Sequence, residues 1–239
     1  TAVTKAVWEY TTQTTVINRW NTIPNGMFAM TPITTMEQCC IPAADLEYLG
    51  GMAYLGTQIA AVDLTKYPRL KDSGDGVFAY CPKLASVKLP KNGMYTRVAD
   101  AMFMIGNFTN TIGLTIIDED AEFGSVLKTI DFGTVTAIGD FAFATIDTIT
   151  SDEIKEEENY IDALEKVDLR GTKVTEIGNG AFAGNLLLTD VHLGSVKTIG
   201  DLAFCFCENM VLTYDAAAGE TNPLPNTVTS IGEYAFADC

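Results

Sequence analysis

Few side chains in this sequence could carry chemistry. Its 239 residues include one histidine, six cysteines and 31 Asp+Glu against 15 Lys+Arg. The histidine, His192, sits in the run Asp-Val-His-Leu at 190–193, whose apolar alternation predicts a short strand with His192 facing outward. The equivalent positions in the neighbouring runs are Asp168 and Tyr214, which makes an Asp–His pair without a Ser, Cys or Thr nucleophile placed beside it. Asp131 and Asp168 share that position too, and stacked strands would bring their carboxylates to about 5 Å, the retaining-glycosidase separation. Any two residues in one position of a strand ladder acquire that spacing, so it does not mark an active site. No catalytic residue is assigned, and the chain is read as a non-enzyme.

Cys81, Cys207 and Cys239 each lie three residues after an aromatic residue and read as small packed thiols. Cys207 and Cys239 fall in adjacent repeats, so a disulfide between them stands as the alternative. Cys39-Cys40 and the Cys205/Cys207 pair lack zinc-ligand spacing. The acidic runs at 118–120 and 156–158 lack the alternation and glycine of a calcium loop. No metal and no cofactor is expected. Asn107-Phe108-Thr109 has the form of a glycosylation sequon.

The elements that would position these residues come from internal repetition. VTAIGDFAFATI from Val135, VTEIGNGAFAGN from Val174, VKTIGDLAFCFC from Val196 and VTSIGEYAFADC from Val228 share V-x-x-I-G-x-x-A-F. A second block, L-x-x-V-x-L, accompanies it at Leu164, Val167 and Leu169 and again at Leu188, Val191 and Leu193. Looser copies extend upstream, with the Ile position at 23, 49, 73, 98, 138, 177, 199 and 231. Both blocks are short and β-branched, so they predict strands. The Gly predicts a sharp turn. Asn25, Asp75, Asp100, Asp140, Asn179 and Asp201 follow it as helix-capping types, which predicts a single helical turn carrying the Phe. No repeat can bury its own apolar face, so the expected fold is one stacked array.

The motif resembles the BspA-type leucine-rich repeat, L-x-x-V-x-L-P…V-x-x-I-G-x-x-A-F-x-x-C, over nearly the whole chain. Ala85 to Pro90 keep the family's proline, while Ser73, Val98 and Pro24 depart from the Ile and Gly positions. The resemblance implies a right-handed repeat solenoid of about eight coils, built of short β-strands with single helical turns. It also implies adhesion or binding roles on surface-exposed or secreted proteins, and it transfers no catalytic residues. The array is read as one domain, 1–239, with 1–22 as a partial coil or N-terminal cap. Inserts are expected near 106–126, 144–163 and 215–227, the first two forming an acidic solvated lobe. The last coil, ending at Cys239, is expected to be covered by further chain or by another molecule.

A net charge of −16 argues against nucleic acid and against anionic membrane surfaces. No apolar run is long enough to span a bilayer. The candidate binding surface is the polar strip flanking the central Val of each coil: Glu37, Asp63, Lys88, Asp131, Lys166, Asp168, Asp190, His192 and Tyr214. The expected partner is a protein or glycan, met outside the cell or at its surface, with a lipid anchor in the full-length precursor as one means of attachment. The competing readings are a structural spacer within a larger surface protein and, behind it, a polysaccharide-processing enzyme.

Overall fold

Each V-x-x-I segment supplies a strand of two residues, too short to persist alone, and parallel pairing with the next repeat stabilises it. The computed structural model describes residues 21–38, 41–106, 126–146, 163–219 and 221–239. Within them Ile23, Leu49 and Ser73 are register partners, and Val98, Ile138, Ile177, Ile199 and Ile231 form a longer ladder. These are the Ile positions of the sequence motif. The L-x-x-V-x-L block forms two three-stranded parallel sheets. One joins Ala61–Asp63, Ser86–Lys88 and Thr129–Asp131, and the other joins Lys166–Asp168, Asp190–His192 and Val211–Leu212.

A further pair, Ile105–Gly106 with Thr145–Ile146, has no counterpart in the repeat motif. It stands at the start of the spans 106–126 and 144–163 that the sequence reading takes as inserts. The N-terminal segment 1–20, Cys39-Cys40, the sequon, both acidic runs and the bodies of these inserts lie outside the described residues. The third insert carries a 3-10 turn at Ala216–Ala218.

Apolar residues from both blocks form one core, with Val62, Val87, Val167, Val191, Ile138, Ile177 and Ile199 all buried. Its centre is an aromatic stack of Phe28, Tyr54, Phe78, Phe103, Phe143, Phe182, Phe204 and Phe236, with centroids 5.2–5.6 Å apart and near-parallel planes. Each stacked pair contributes about 0.5–1.5 kcal/mol beyond the burial of its rings.

Two expectations are corrected. The Asx residues do not cap helical turns, and no α-helix occurs among the described residues. Their side chains instead reach the next repeat. Asn25 Oδ1 accepts the Gly51 N–H at 2.9 Å, Asp100 Oδ1 accepts that of Asp140, Asp140 that of Asn179, Asn179 that of Asp201 and Asp201 that of Glu233, the last four at 2.8 Å. The residue after the Asx position, held by Gly51 and Glu233 in two repeats, sets the local shape. Met52, Ala101, Phe141, Leu202 and Tyr234 have φ between 50° and 58°, which breaks a right-handed helix at its first step and gives overlapping tight turns. The motif glycine is also needed for a different reason. A Cβ on Gly178 would lie 2.5 Å from Asp140 Oδ1 and 2.7 Å from the Gly139 carbonyl carbon, and Gly139, Gly200 and Gly232 are crowded in the same way. None of these four has positive φ. The constraint is close backbone approach between repeats.

Phe182→Ala should cost about 3–5 kcal/mol in urea unfolding, because the cavity opens inside the stack, whereas Lys88→Ala should stay within about 0.5 kcal/mol. Gly178→Ala should cost about 1–3 kcal/mol by overpacking. A Gly178→Ala protein as stable as wild type would show that the repeats are not held at this distance.

Candidate functional site

The polar strip is positioned by the second strand block, where the central Val points inward and its two neighbours point away. Ala61, Val62 and Asp63 face Ser86, Val87 and Lys88, which face Thr129, Ile130 and Asp131. In the second sheet Lys166, Val167 and Asp168 face Asp190, Val191 and His192. The strands Thr129–Asp131 and Lys166–Asp168 belong to different sheets, so Asp131 and Asp168 are not ladder neighbours. Each carboxylate has its own cation: Lys91 Nζ lies 2.7 Å from Asp131, and Arg170 Nη2 lies 2.5 Å from Asp168. The glycosidase-type pair suggested by the sequence is therefore not assembled.

The second half of the strip is a closed network. Lys166 Nζ contacts Asp190 at 2.5 Å, Thr213 Oγ1 donates to Asp190 at 2.6 Å, and Arg170 also reaches Asp215 at 3.5 Å. The hydrogen bond from Arg170 holds the Asp168 carboxyl down to about 2, and Lys166 with Thr213 lowers Asp190. Burial opposes the same change at Asp131, but Lys91 and the Gly133 N–H outweigh it and hold that carboxyl below its usual range.

The first half is more open. Glu37 lies in a 3-10 turn, Met36–Gln38, rather than a strand, and pairs with Lys66 at 2.5 Å. Asp63 uses Oδ1 to accept the Thr65 N–H and hydroxyl. Lys88 forms no ion pair among the described residues. Glu37, Asp63, Lys66 and Lys88 line a concavity of about 360 Å³ with Thr34, Thr35 and Ser86.

Two assignments to the exposed strip are corrected. His192 is 5% exposed. Thr221 to Asn226 of the third insert lie across it and enclose a cavity of about 200 Å³, and its Nδ1 accepts the Gly194 N–H at 3.2 Å. Tyr214 is exposed but is not in the His192 position. Leu212 stands opposite Val191, because one residue fewer separates the aromatic Phe204 from the strand than separates Phe182 from its own. A slip of one residue moves every side chain to the other face. Spacing alone could not show the shortening, since Val211-Leu212-Thr213 fits either register.

The thiols have a defined structural task. Cys81 Sγ donates to the Tyr54 carbonyl, Cys207 to that of Phe182 and Cys239 to that of Phe204, at 3.1–3.3 Å. Asn185 fills the same position and donates to the Phe143 carbonyl at 3.0 Å. The Cys position is thus a donor to the preceding repeat's aromatic residue, and Cys81, Cys205, Cys207 and Cys239 are all free thiols. Burial pushes the Cys81 thiol up, away from thiolate reactivity, whereas Cys239 is exposed and stays accessible despite a raised value. The sequence reading missed Glu47, a buried carboxylate held by Arg69 and by Lys71 at 2.7 Å. Its only sequence cue is the pair of bases one repeat later.

The parallel ladders, the V-x-x-I-G-x-x-A-F motif and the aromatic stack match a known repeat. The BspA type leucine rich repeat region matches residues 21–150, 96–211 and 214–239, in six copies. The chain belongs to the BspA-type leucine-rich repeat family. No curated protein and no solved structure matches it. BspA-type repeats form surface-protein modules that are typically non-enzymatic and commonly bind proteins. No helix among the described residues is long and apolar enough to cross a membrane. In this BspA-type chain the family's Cys and Gly positions act between repeats, as a hydrogen-bond donor and as a close-contact site.

Asp168 titrates near 2 when folded and near about 3.9 when unfolded. Its contribution is therefore complete above about pH 4 and lost as pH falls through the folded value. The difference in urea midpoint between wild type and Asp168→Asn should be largest at pH 6 and shrink toward pH 2; a constant difference would remove the Arg170 pair as its source. Among the described thiols, Cys239 should react with a thiol reagent in native protein, whereas Cys81 and Cys207 should react only after unfolding. A mass-spectrometric Cys207–Cys239 cross-link in non-reduced protein would contradict this arrangement.

Proposed function

We propose that the chain is a single non-enzymatic binding module of a secreted or cell-surface protein. In this reading its repeats stack as one right-handed solenoid of about eight coils. The ligand is a protein or glycan taken up on the polar strip, at its open first half. The observation that carries this reading is the concavity lined by Glu37, Asp63 and Lys88. There the Lys88 ammonium has no ion-pair partner among the described residues, whereas the charged groups from Lys166 to Asp215 satisfy one another. A group with unused hydrogen-bonding capacity can gain a partner without breaking an existing pair. Asp131, Lys166, Asp168 and Asp190 then serve as the structured flank of the surface.

That same closed network favours a second reading, a spacer that holds other domains apart and binds nothing. Purified protein screened against a glycan array and a panel of purified extracellular matrix proteins separates the two. Binding should fall at least tenfold in Lys88→Glu, with an unchanged thermal midpoint, and in Asp63→Lys, whose midpoint falls only by the loss of the Thr65 contacts. Binding that ignores both substitutions would remove the strip as its seat, and no binding to either panel would favour the spacer.

A further inference from the structure

The turn that follows each Asx residue forms its own ladder, separate from the strip. The Ala101 N–H donates to the Asp140 carbonyl, Phe141 to Asn179, Gly180 to Asp201 and Leu202 to Glu233, at 2.8–2.9 Å. Gly26, Met52, Gly76, Ala101, Phe141, Gly180, Leu202 and Tyr234 therefore stand in one row, every one with positive φ. Glycine meets that requirement without strain and holds the position three times. In later repeats large apolar residues hold it instead: Phe141 is 37% exposed and Leu202 40%, and Tyr234 takes the position in the following repeat. At Gly180 the Phe141 ring covers the gap, its Cε1 lying 2.3 Å from where a Cβ would be, so the apolar row continues. Backbone strain combined with exposed apolar area is unfavourable for the isolated fold and marks an interaction surface.

Charge and spacing define the partner. Each apolar residue directly follows an acidic one, Asp140 before Phe141, Asp201 before Leu202 and Glu233 before Tyr234. An apolar row thus runs beside a carboxylate row on a chain of net charge −16. Along this row the inter-repeat N–H···O bonds hold successive residues just under 5 Å apart, closer to the spacing of helical turns than to that of an extended strand. An α-helix repeats one face about every 5.4 Å, whereas an extended strand repeats its face about every 6.8 Å and drifts out of step. We propose that this edge docks a basic amphipathic α-helix of a partner protein, with its apolar face on Phe141, Leu202 and Tyr234 and its Lys or Arg residues against Asp140, Asp201 and Glu233.

The test uses a fluorescent leucine–lysine peptide made of two LKKLLKL heptads, with anisotropy as the readout. Wild type should bind it, more weakly at higher salt, and should bind neither the leucine–glutamate counterpart nor a serine–lysine version. The triple variant Phe141→Gly, Leu202→Gly, Tyr234→Gly keeps every charge and relieves the strain. It should bind at least tenfold more weakly, with a thermal midpoint equal to or above wild type. Asp140→Asn with Asp201→Asn keeps the side-chain oxygens that accept between repeats, as Asn179 does, and should also weaken binding, whereas Asp63→Asn should not. Undiminished binding by the triple glycine variant, equal binding of the serine–lysine peptide or no binding by wild type would each overturn the proposal. None of these variants except the Asp63 control touches the strip, so failure here is distinct from failure of the strip as a binding surface.

Discussion

The separation between successive repeats, 5.2–5.6 Å at the aromatic stack, is the constraint on which the other features depend. Parallel strands fix it at the edges, since their hydrogen bonds hold neighbours just under 5 Å apart, and offset aromatic rings fill it at the centre. Everything else in the motif serves that distance. Glycine stands where a Cβ would strike the preceding repeat, Asx oxygens bridge to the next backbone N–H, and the Cys thiol or Asn185 amide reaches the preceding aromatic carbonyl. The backbone groups that short strands leave unpaired are thus satisfied from the neighbouring repeat, as buried polar groups must be. A single repeat has none of these partners, which is why the unit is stable only as part of a stack.

The same distance organises the surfaces. Charges one repeat apart lie close enough to pair, so the strip between Lys166 and Asp215 settles into mutual ion pairs. Exposed pairs of this kind contribute little stability, about 0–1 kcal/mol each. Their effect is to occupy the groups that a ligand would need. Toward the first repeats Lys88 makes no ion pair among the described residues, because its ladder neighbour Asp131 is held at 2.7 Å by Lys91. The left-handed turn row works in the opposite way. Its position demands a strained conformation from any residue but glycine, so a large apolar side chain there gives up stability and acquires an exposed contact.

Position within a repeat was legible in the sequence because the motif is periodic and its residue types are restrictive. The Ile positions from Ile23 to Ile231, the aromatic residues from Phe28 to Phe236 and the inward Val62, Val87, Val167 and Val191 occupy the places that the pattern implies. Those assignments need only the alternation of a strand and the insolubility of an unburied ring. They also locate the strip, since the neighbours of an inward Val must face outward unless something covers them.

What the tertiary structure alone decided is what happens between repeats and over them. Asp140 reads as a helix cap from its own neighbours, yet its oxygen binds Asn179, which is remote in sequence and adjacent in space. Gly178 reads as a turn residue, yet its role is set by the Asp140 backbone beside it. His192 follows the outward phase of its strand, but a loop thirty residues on, Thr221 to Asn226, covers it. Tyr214 was misplaced because the connection after Phe204 is one residue shorter than the one after Phe182, and local pattern cannot register a slip that leaves an apolar residue in either phase. The sequence by itself determined the repeat and the inside and outside of every strand except Val211–Leu212, since these follow from side-chain polarity along a few residues. The turn geometry, the hydrogen-bond partners and the true extent of the exposed surface depend on which distant segments meet, so only the assembled stack determines them.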